Sequence, residues 1–392
     1  MKPEAVDILI AGGGPVGAAL ALALEGSGHS VVLAEARSAD PIEARSAATR
    51  AAAERDGRAI ALSYASRLLL ERLRAWVELP VTPIETIHVS QQGGFGRTLI
   101  RAADCDVPAL GYVADYDDLQ RSLFAAPCSA RRLSGAKLTG FDGAVATLQT
   151  QQGPLAFAPR LTVFADGARI GDGAPARSYT KDYRQTALVA WVKSEQAHRG
   201  RAWERFAPEG PLALLPHSSG YALVWTADPE RAAHLSALDT PHFLAQLQAA
   251  FGDRLGAFIE AGGRSTFPLA LRYQREEARP HSLNVGNAAQ TLHPVAGQGF
   301  NLGLRDAWEL ARLARDMKEE PGSVRFIDSY RRARALDRRA GIGFTDGLIG
   351  LFSSSNALLQ AGRGAGLLAL DLLPFARRFV ARRMIYGARA LP

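Results

Sequence analysis

The chain has 392 residues, 47% of them hydrophobic and 22% charged, with a formal net charge of +7. That length buries a sizeable core in two domains, and the balance is that of a globular protein rather than a disordered, collagenous or membrane-spanning one. Two cysteines, Cys105 and Cys128, are too few for a disulfide framework and lack metal-ligand spacing; they read as free thiols in a reducing, cytoplasmic compartment.

Val6 to Ala11 reads as a short buried strand, Gly12-Gly13-Gly14-Pro15-Val16-Gly17 as a glycine turn, the alanine- and leucine-rich run to Glu25 as a helix, and His29 to Ala34 as a second strand ending at Glu35. Residues 8 to 24 are almost uncharged, but four glycines and a proline break the run and acids flank it, which argues against a signal or membrane segment. The spacing is that of a βαβ dinucleotide-binding unit. Gly12 permits the tight turn, Gly14 lets a pyrophosphate approach the backbone, Gly17 lets helix and strand pack closely, and Glu35 accepts from adenosine ribose hydroxyls. Pro15 and Val16 open the helix whose first amides face the phosphates.

Residues 36 to 55 show no strand pattern. An amphipathic helix is expected over 63 to 76, and strands over Ile84 to Ser90 and Arg97 to Arg101, joined by the Gly93-Gly94-Phe95-Gly96 turn. No helix follows that turn, so it reads as a hairpin and not a second nucleotide fold. Val113 to Ala126 reads as a helix with Leu119, Leu123 and Phe124 on one face. Leu161 to Ala165 is a strand ending in Asp166-Gly167. From Gln185 to Trp225 the pattern becomes short alternating strands, followed by a helix over Pro241 to Phe251 and a strand around Ser265 to Leu271: an antiparallel sheet inserted into the dinucleotide fold.

Leu283-Asn284-Val285 is an apolar strand. It runs into a loop with Gly286, Gly297, Gly299, Gly303 and Pro294, and then into a helix through Trp308, Leu310 and Leu313. Such a loop brings bare backbone and unpaired first-turn amides close to a flat or anionic ligand, although an isolated strand-to-helix turn has the same pattern. From Ile327 onward the helices carry many arginines: Arg331, Arg332, Arg334, Arg338 and Arg339, then Arg377, Arg378, Arg382 and Arg383, with Leu372, Phe375 and Phe379 interleaved. They read either as a solvated face or as a basic amphipathic surface resting on anionic lipid. No nucleic-acid motif accompanies them.

The stretch Gly286-Asn287-Ala288-Ala289-Gln290-Thr291-Leu292-His293-Pro294, together with the early glycine turn, Asp56-Gly57-Arg58-Ala59-Ile60-Ala61-Leu62-Ser63 and Asp166-Gly167, closely resembles the FAD motifs of the flavin-dependent aromatic hydroxylases. The likeness is greatest to the UbiH/UbiI/UbiF branch of ubiquinone biosynthesis, and within it to the 2-polyprenyl-6-methoxyphenol hydroxylase type. It covers nearly the whole chain.

The resemblance implies an α/β fold: an FAD-binding Rossmann-like domain (1–80, 111–175 and 280–330), an inserted antiparallel-sheet substrate domain (81–110 and 176–279) and C-terminal helices (331–392). It implies one bound FAD, NAD(P)H as transient cosubstrate, and O₂ that forms a flavin hydroperoxide and hydroxylates a prenylated phenol. It also implies peripheral contact with the inner membrane face and with a ubiquinone-biosynthesis complex.

By the same resemblance Arg58 contacts the pyrophosphate or lines the route to the flavin, Arg121 is the polar FAD contact of its helix, and Asp166-Gly167 lies near the pyrophosphate and the nicotinamide. Each also has an ordinary reading, as a solvated arginine or a common turn. Ala168-Arg169-Ile170 departs from the family, which has a serine at the third place. Asn287 stands where most relatives have a ribityl-binding aspartate; an amide keeps one acceptor and adds a donor, so FAD binding is expected to persist. Pro294 is placed near the isoalloxazine, and Gly299, Phe300 and Asn301 offer backbone amides to its pyrimidine edge. His293 is either an acid/base or, preferably, a hydrogen-bond partner that orders its loop.

The substrate pocket is expected to be apolar, with Trp191, Phe206, Leu212 to Leu215 and Phe267-Pro268-Leu269 as wall or as core. Two other readings stay open: a soluble aromatic-acid hydroxylase, which needs a basic or tyrosine side chain in the pocket, and a flavin-holding non-catalytic subunit.

Overall fold

The computed structural model describes residues 2–37, 59–167, 178–274, 279–352 and 356–388. Arg58 and the loop following Gly167 lie outside the described residues.

One sheet has the order β8-β2-β1-β11-β10-β9, with β17 also pairing β11. It is made of β1 (Glu4–Ala11), β2 (Val31–Glu35), β8 (Arg131–Ser134), β9 (Lys137–Phe141), β10 (Ala146–Thr150), β11 (Gly153–Phe164) and β17 (Ser282–Asn284). The β8, β2, β1, β11 and β17 pairings are parallel, and β10 and β9 close one edge antiparallel. The parallel strands read as continuous apolar runs because both faces are covered: Ile8, Leu9 and Ile10 are all fully buried. The strands at 131–150 are a finding, since their short half-exposed pattern carries little signal. The expected helix from Val113 is corrected: Gly111–Asp115 is strand β7, and the helix α3 begins at Tyr116 and ends at Ala125. There β7 pairs antiparallel with both β3 (Ala59–Ser63) and β4 (Thr82–Ile84), a tertiary demand that overrides local periodicity.

A second sheet has the order β18-β16-β12-β15-β14-β13-β5-β6. Its strands are β5 (Thr86–Gln91), β6 (Arg97–Arg101), β12 (Ser178–Ser194), β13 (Arg201–Ala207), β14 (Gly210–His217), β15 (Gly220–Ala227), β16 (Phe258–Gln274) and β18 (Gln290–Thr291). The hairpin β5–β6 thus joins the inserted sheet, through a parallel pairing of β5 with β13.

One face is covered by α4 (Pro229–Ala237) and α5 (Thr240–Phe251), each begun by an aspartate, Asp228 or Asp239, that caps a backbone amide, and by a proline in the first turn. Leu188, Trp203, Leu212, Leu214, Phe243 and Leu247 make that core. Leu212 and Leu214 are therefore core rather than pocket wall. Alternation turns Ala202, Phe206 and Leu215 to the opposite face, where they meet Ile84, Val113 and Val295 of the dinucleotide side.

The remaining helices are α1 (Pro15–Ala23), α2 (Tyr64–Arg72), α6 (Gln298–Asp316), α7 (Val324–Phe352), α8 (Ala357–Leu372) and α9 (Pro374–Tyr386). α1 is buried almost all round, and α6 packs on it.

Candidate flavin site

Three stretches far apart in sequence meet at the carboxyl ends of the parallel strands. Gly12, with φ +113°, lies so close to the end of β11 that a β-carbon there would sit 2.5 Å from the Asp166 amide nitrogen. Only glycine has both that backbone angle and that clearance. A β-carbon at Gly17 would lie 1.9 Å from the Gly12 carbonyl, so the turn and α1 pack as close as the motif requires. Val16 fills the notch on the other side: β-carbons at Gly286 and Gly303 would lie 3.1 Å from its Cγ1 and 2.8 Å from its Cγ2. Gly167 in turn faces Asn287: a β-carbon there would lie 3.6 Å from that side chain's Cβ. The early turn, Asp166-Gly167 and Gly286-Asn287 therefore form one cradle. Val16 takes part in it through its backbone, because its side chain is engaged with the later glycines.

The cradle fits an anionic dinucleotide. A β-carbon at Gly14 would meet only the Tyr116 hydroxyl, at 3.7 Å, and one at Gly299 would meet nothing within 4 Å, so ligand can reach bare backbone at both places. Helices α1 and α6 both begin without a side-chain cap and without an acid in the first turn. Their first amides therefore keep their positive ends for a ligand. Glu35 holds the turn by accepting from the Gly13 amide at 2.8 Å, and Pro15 is the first helical residue.

Gln120, which sequence reading passed over, donates to the Gly13 carbonyl at 2.6 Å, while its Oε1 is buried without a partner. Arg121, the residue expected there, is exposed and paired with Asp118. In the structure it is thus Gln120, one position earlier along α3, and not Arg121, that touches the glycine turn.

The loop on the flavin side is held from behind. Asn301 is buried, and its amide is fully used: Oδ1 accepts from the Ser63 amide at 2.8 Å and from Ser66 Oγ at 2.7 Å, while Nδ2 donates to the carbonyls of Ala61 at 3.0 Å and Gly297 at 2.8 Å. Its backbone amide stands four residues beyond the N-cap Gly297 and so belongs to the helix ladder. Asn301 clamps the loop to β3 instead of offering an amide to a ligand, and that corrects its expected role. Gly299 and Phe300, in the first turn, keep amides with no place in the ladder.

His293 is buried, and its Nδ1 accepts from the Val295 amide at 3.1 Å. Burial pushes its pKa down to about 4, so near neutral pH the ring is uncharged and free to accept that loop amide. Its edge stands against Tyr183, whose hydroxyl donates to Asp346 at 3.0 Å. Pro294 is half-buried beside it, and Asn287 is exposed on the cradle.

Below Gly286 lies a buried charge network. Asp306 is fully buried and accepts from the Gly286 amide at 3.2 Å, Gln290 Nε2 at 2.8 Å and Arg334 Nε at 2.7 Å. Arg334 also reaches Asp337 at 2.9 Å, and Arg305 holds Asp337 at 2.7 Å. Arg334 is thus internal scaffolding, as are the buried Arg338 and Arg377, and these three leave the expected basic surface.

Beside the loop an apolar cavity of about 60 Å³ is lined by Ile84, Ile87, Ile100 and Leu110, by Gln298 and Asn301 at the start of α6, and by Ala381, Met384 and Ile385 of α9. Among the described residues no group of His, Cys, Asp or Glu could hold a metal ion.

Comparison with known proteins agrees with this geometry. Residues 144–342 match the family model of the FAD binding domain. The chain is 34% identical to a ubiquinone hydroxylase, UbiL, of Rhodospirillum rubrum, over 97% of this chain and 90% of that protein. It is 30% identical to a 3-demethoxyubiquinol 3-hydroxylase of Escherichia coli, over 96% of this chain and 99% of that one. Among solved structures it resembles p-nitrophenol 4-monooxygenase PnpA of Pseudomonas putida, with a TM-score of 0.73 and 16% identity over 97% of this chain and 98% of that one, a likeness of fold.

Proposed function

The chain belongs to the FAD-dependent aromatic-ring hydroxylases of ubiquinone biosynthesis, and from that premise we propose that it hydroxylates the ring of a polyprenylated phenol with NAD(P)H and O₂. Bound FAD supplies the redox and oxygen chemistry. The protein's residues do the rest. Gly12 to Gly17, Glu35 and Gln120 hold the dinucleotide, Asn287 meets the ribityl chain, and the first turn of α6 faces the pyrimidine edge. Asn301 and His293 keep that turn rigid, and the apolar side chains around the cavity exclude water.

The observation that carries the choice of substrate is the two-sided helix α9. Its inner face closes the cavity with Ala381, Met384 and Ile385, while Phe375 and Phe379 stand exposed on the outer face, near the exposed Arg378 and Arg383. A ring bound inside and a lipid tail leaving beneath α9 suit that arrangement, as does a peripheral contact at the inner membrane face and with partners in a biosynthetic complex. No described helix is long and apolar enough to cross a membrane. An aromatic-acid substrate is less well served, because among the described residues the cavity presents no basic side chain to a carboxylate. The case for a non-catalytic subunit rested on the loop after Gly167, which lies outside the described residues.

The test is turnover of a short-chain prenylphenol by purified protein with NAD(P)H and O₂. A hydroxylated product is expected; conversion of hydroxybenzoates with none from prenylphenols would overturn the substrate, and a folded protein that is colourless and refuses FAD would overturn the cofactor.

A further inference from the structure

Glu204 lies in the middle of β13, between Ala202 and Phe206, and its neighbours fix which way it points. Trp203 belongs to the core beneath α4 and α5, whereas Ala202 and Phe206 face the dinucleotide side. Alternation puts Glu204 on that second face. Across the sheet it stands opposite Val89 on one side and Ala213 on the other, and Val89 stands opposite Thr98. One row back, Ala202 aligns with Ile87 and Ile87 with Ile100, and both isoleucines line the cavity. One row on, Phe206 packs on Val295 of the flavin-side loop and stacks on Phe352 at 3.6 Å. The carboxyl is thus one row from the cavity and one row from the loop that faces the flavin.

That row is otherwise apolar, and it strands two oxygens. Glu204 Oε1 and Thr98 Oγ1 are both buried without a hydrogen-bond partner. Glu204 as a whole is half-buried, and a carboxyl oxygen buried without a partner costs stability unless a ligand completes it. No opposite charge holds it: burial alone raises its pKa, to about 7. On the strands beside it, His88 of β5 packs on Trp203 of the opposite face, Arg97 and Arg101 of β6 are exposed, and His217 of β14 lies 3.3 Å from Asp115; Lys181 and Tyr183 of β12 both bond to Asp346 of α7.

We propose that Glu204 accepts the proton of the phenolic hydroxyl of the bound ring, an inference that rests on the phenol reading above. As oxygen adds to a ring carbon, the phenolic O–H bond breaks, its electron pair moves into the ring system, and the proton passes to the Glu204 carboxylate. When the ring regains aromaticity the carbon-bound proton passes to solvent, offsetting the proton taken up as the second oxygen atom of O₂ leaves as water, and the carboxyl returns its own proton to the ring oxygen, leaving Glu204 as it began. The oxidising equivalents come from O₂ and the electrons from NAD(P)H, as the family reaction supplies them. The carboxylate contributes proton acceptance and orientation, for which a base that titrates near neutrality is suited.

The test compares holoenzyme with Glu204→Gln and Glu204→Asp, each first shown to keep its flavin absorbance and thermal midpoint. Wild type is expected to lose kcat below about pH 7. Glu204→Gln should lose about 10²- to 10⁴-fold in kcat with little change in KM and should no longer show that acid limb, while Glu204→Asp restores both in part. A second measurement needs no turnover: binding of 2-prenylphenol and of its O-methyl ether, read from the oxidised flavin spectrum. Wild type should prefer the phenol by about tenfold or more, and Glu204→Leu should remove the preference. Unchanged kcat and acid limb in Glu204→Gln, or an undiminished preference in Glu204→Leu, would overturn the role of Glu204. Failure of the substrate reading appears differently, as wild type that turns over hydroxybenzoates and no prenylphenol.

Discussion

Gln120 and Arg121 are neighbours on α3, and only Gln120 reaches the glycine turn proposed to hold the cofactor. Gln120 donates to the Gly13 carbonyl and keeps a buried acceptor unused, whereas Arg121 is committed to Asp118 at the surface. Gln120→Ala should weaken FAD binding by about 1–2 kcal/mol, roughly tenfold, and Arg121→Ala should leave it within about twofold. Titration of apoprotein with FAD distinguishes the two, and equal effects would remove Gln120 from the site. Asn287 is exposed on the same cradle, and Asn287→Asp is expected to retain FAD because either side chain presents an acceptor to a ribityl hydroxyl; loss of the flavin spectrum in that variant would contradict the assignment. The glycines of the cradle were legible in the sequence because their spacing is itself the signal, and Asn287 was named through the family resemblance. Gln120 and Glu204 were not. Trp203-Glu204-Arg205-Phe206 looks like any half-exposed strand, and only the pairing of β13 with β5 and β14 shows that its second face is covered too.

The helices α6 and α7 are joined by charges that the sequence suggested would face solvent. In a run of arginines, periodicity identifies a polar stripe but cannot reveal a buried acid on another helix. Asp306 is that acid, and it turns Arg334 inward. Arg334→Met leaves Asp306 buried without its counter-charge and should cost about 3–5 kcal/mol, whereas Arg332→Met and Arg339→Met, at exposed positions, should stay within about 0.5 kcal/mol. Denaturant unfolding of the three variants measures this.

The same network sets a pH window. Burial favours the neutral form of Asp337, but Arg305 and Arg334 outweigh it and hold the carboxyl down to about 2, from an ordinary value of 3.8. A depressed acid contributes stability above its unfolded pKa and loses it as pH falls toward the folded one. About 2 kcal/mol should therefore disappear between about pH 4 and pH 2 in wild type and be missing from Asp337→Asn. The sheet elements show the opposite limit of sequence reading. In the strand Gly111–Asp115 Tyr112 and Val113 suit a sheet, but Val113 and Ala114 run straight into the helix from Tyr116, and only the partners on both sides mark where the strand ends.

At the scale of the whole molecule, the cavity and the exposed apolar surface share one helix, an arrangement that bears on how the proposed prenylated substrate would arrive. Inner and outer faces of α9 differ: Ile385 and Ala381 are almost fully buried, while Phe375 is 73% and Phe379 56% exposed. Leu372, at the end of α8, is 68% exposed and extends the outer patch. Exposed aromatics next to exposed arginines, of which Arg378 also reaches Asp106 at 3.6 Å, are the composition of an interfacial helix, where apolar burial anchors and arginines draw the chain to anionic lipid.

The cavity itself, about 60 Å³, is smaller than the roughly 150 Å³ pocket known to take benzene, so a ring enters only if something lining it gives way. Since α9 forms one wall, the proposed docking of its outer face would act on the same helix that admits substrate. Phe375→Ser with Phe379→Ser should lower binding to anionic vesicles by about tenfold or more, through loss of buried apolar surface. Arg378→Gln with Arg383→Gln should instead flatten the fall of binding with salt. If the patch delivers substrate, the aromatic double variant loses turnover of a long-chain prenylphenol held in vesicles but keeps that of a short-chain one in solution. Equal loss on both would mean that α9 matters only as the wall of the cavity, and vesicle binding untouched by the double variant would place the membrane contact elsewhere on the surface.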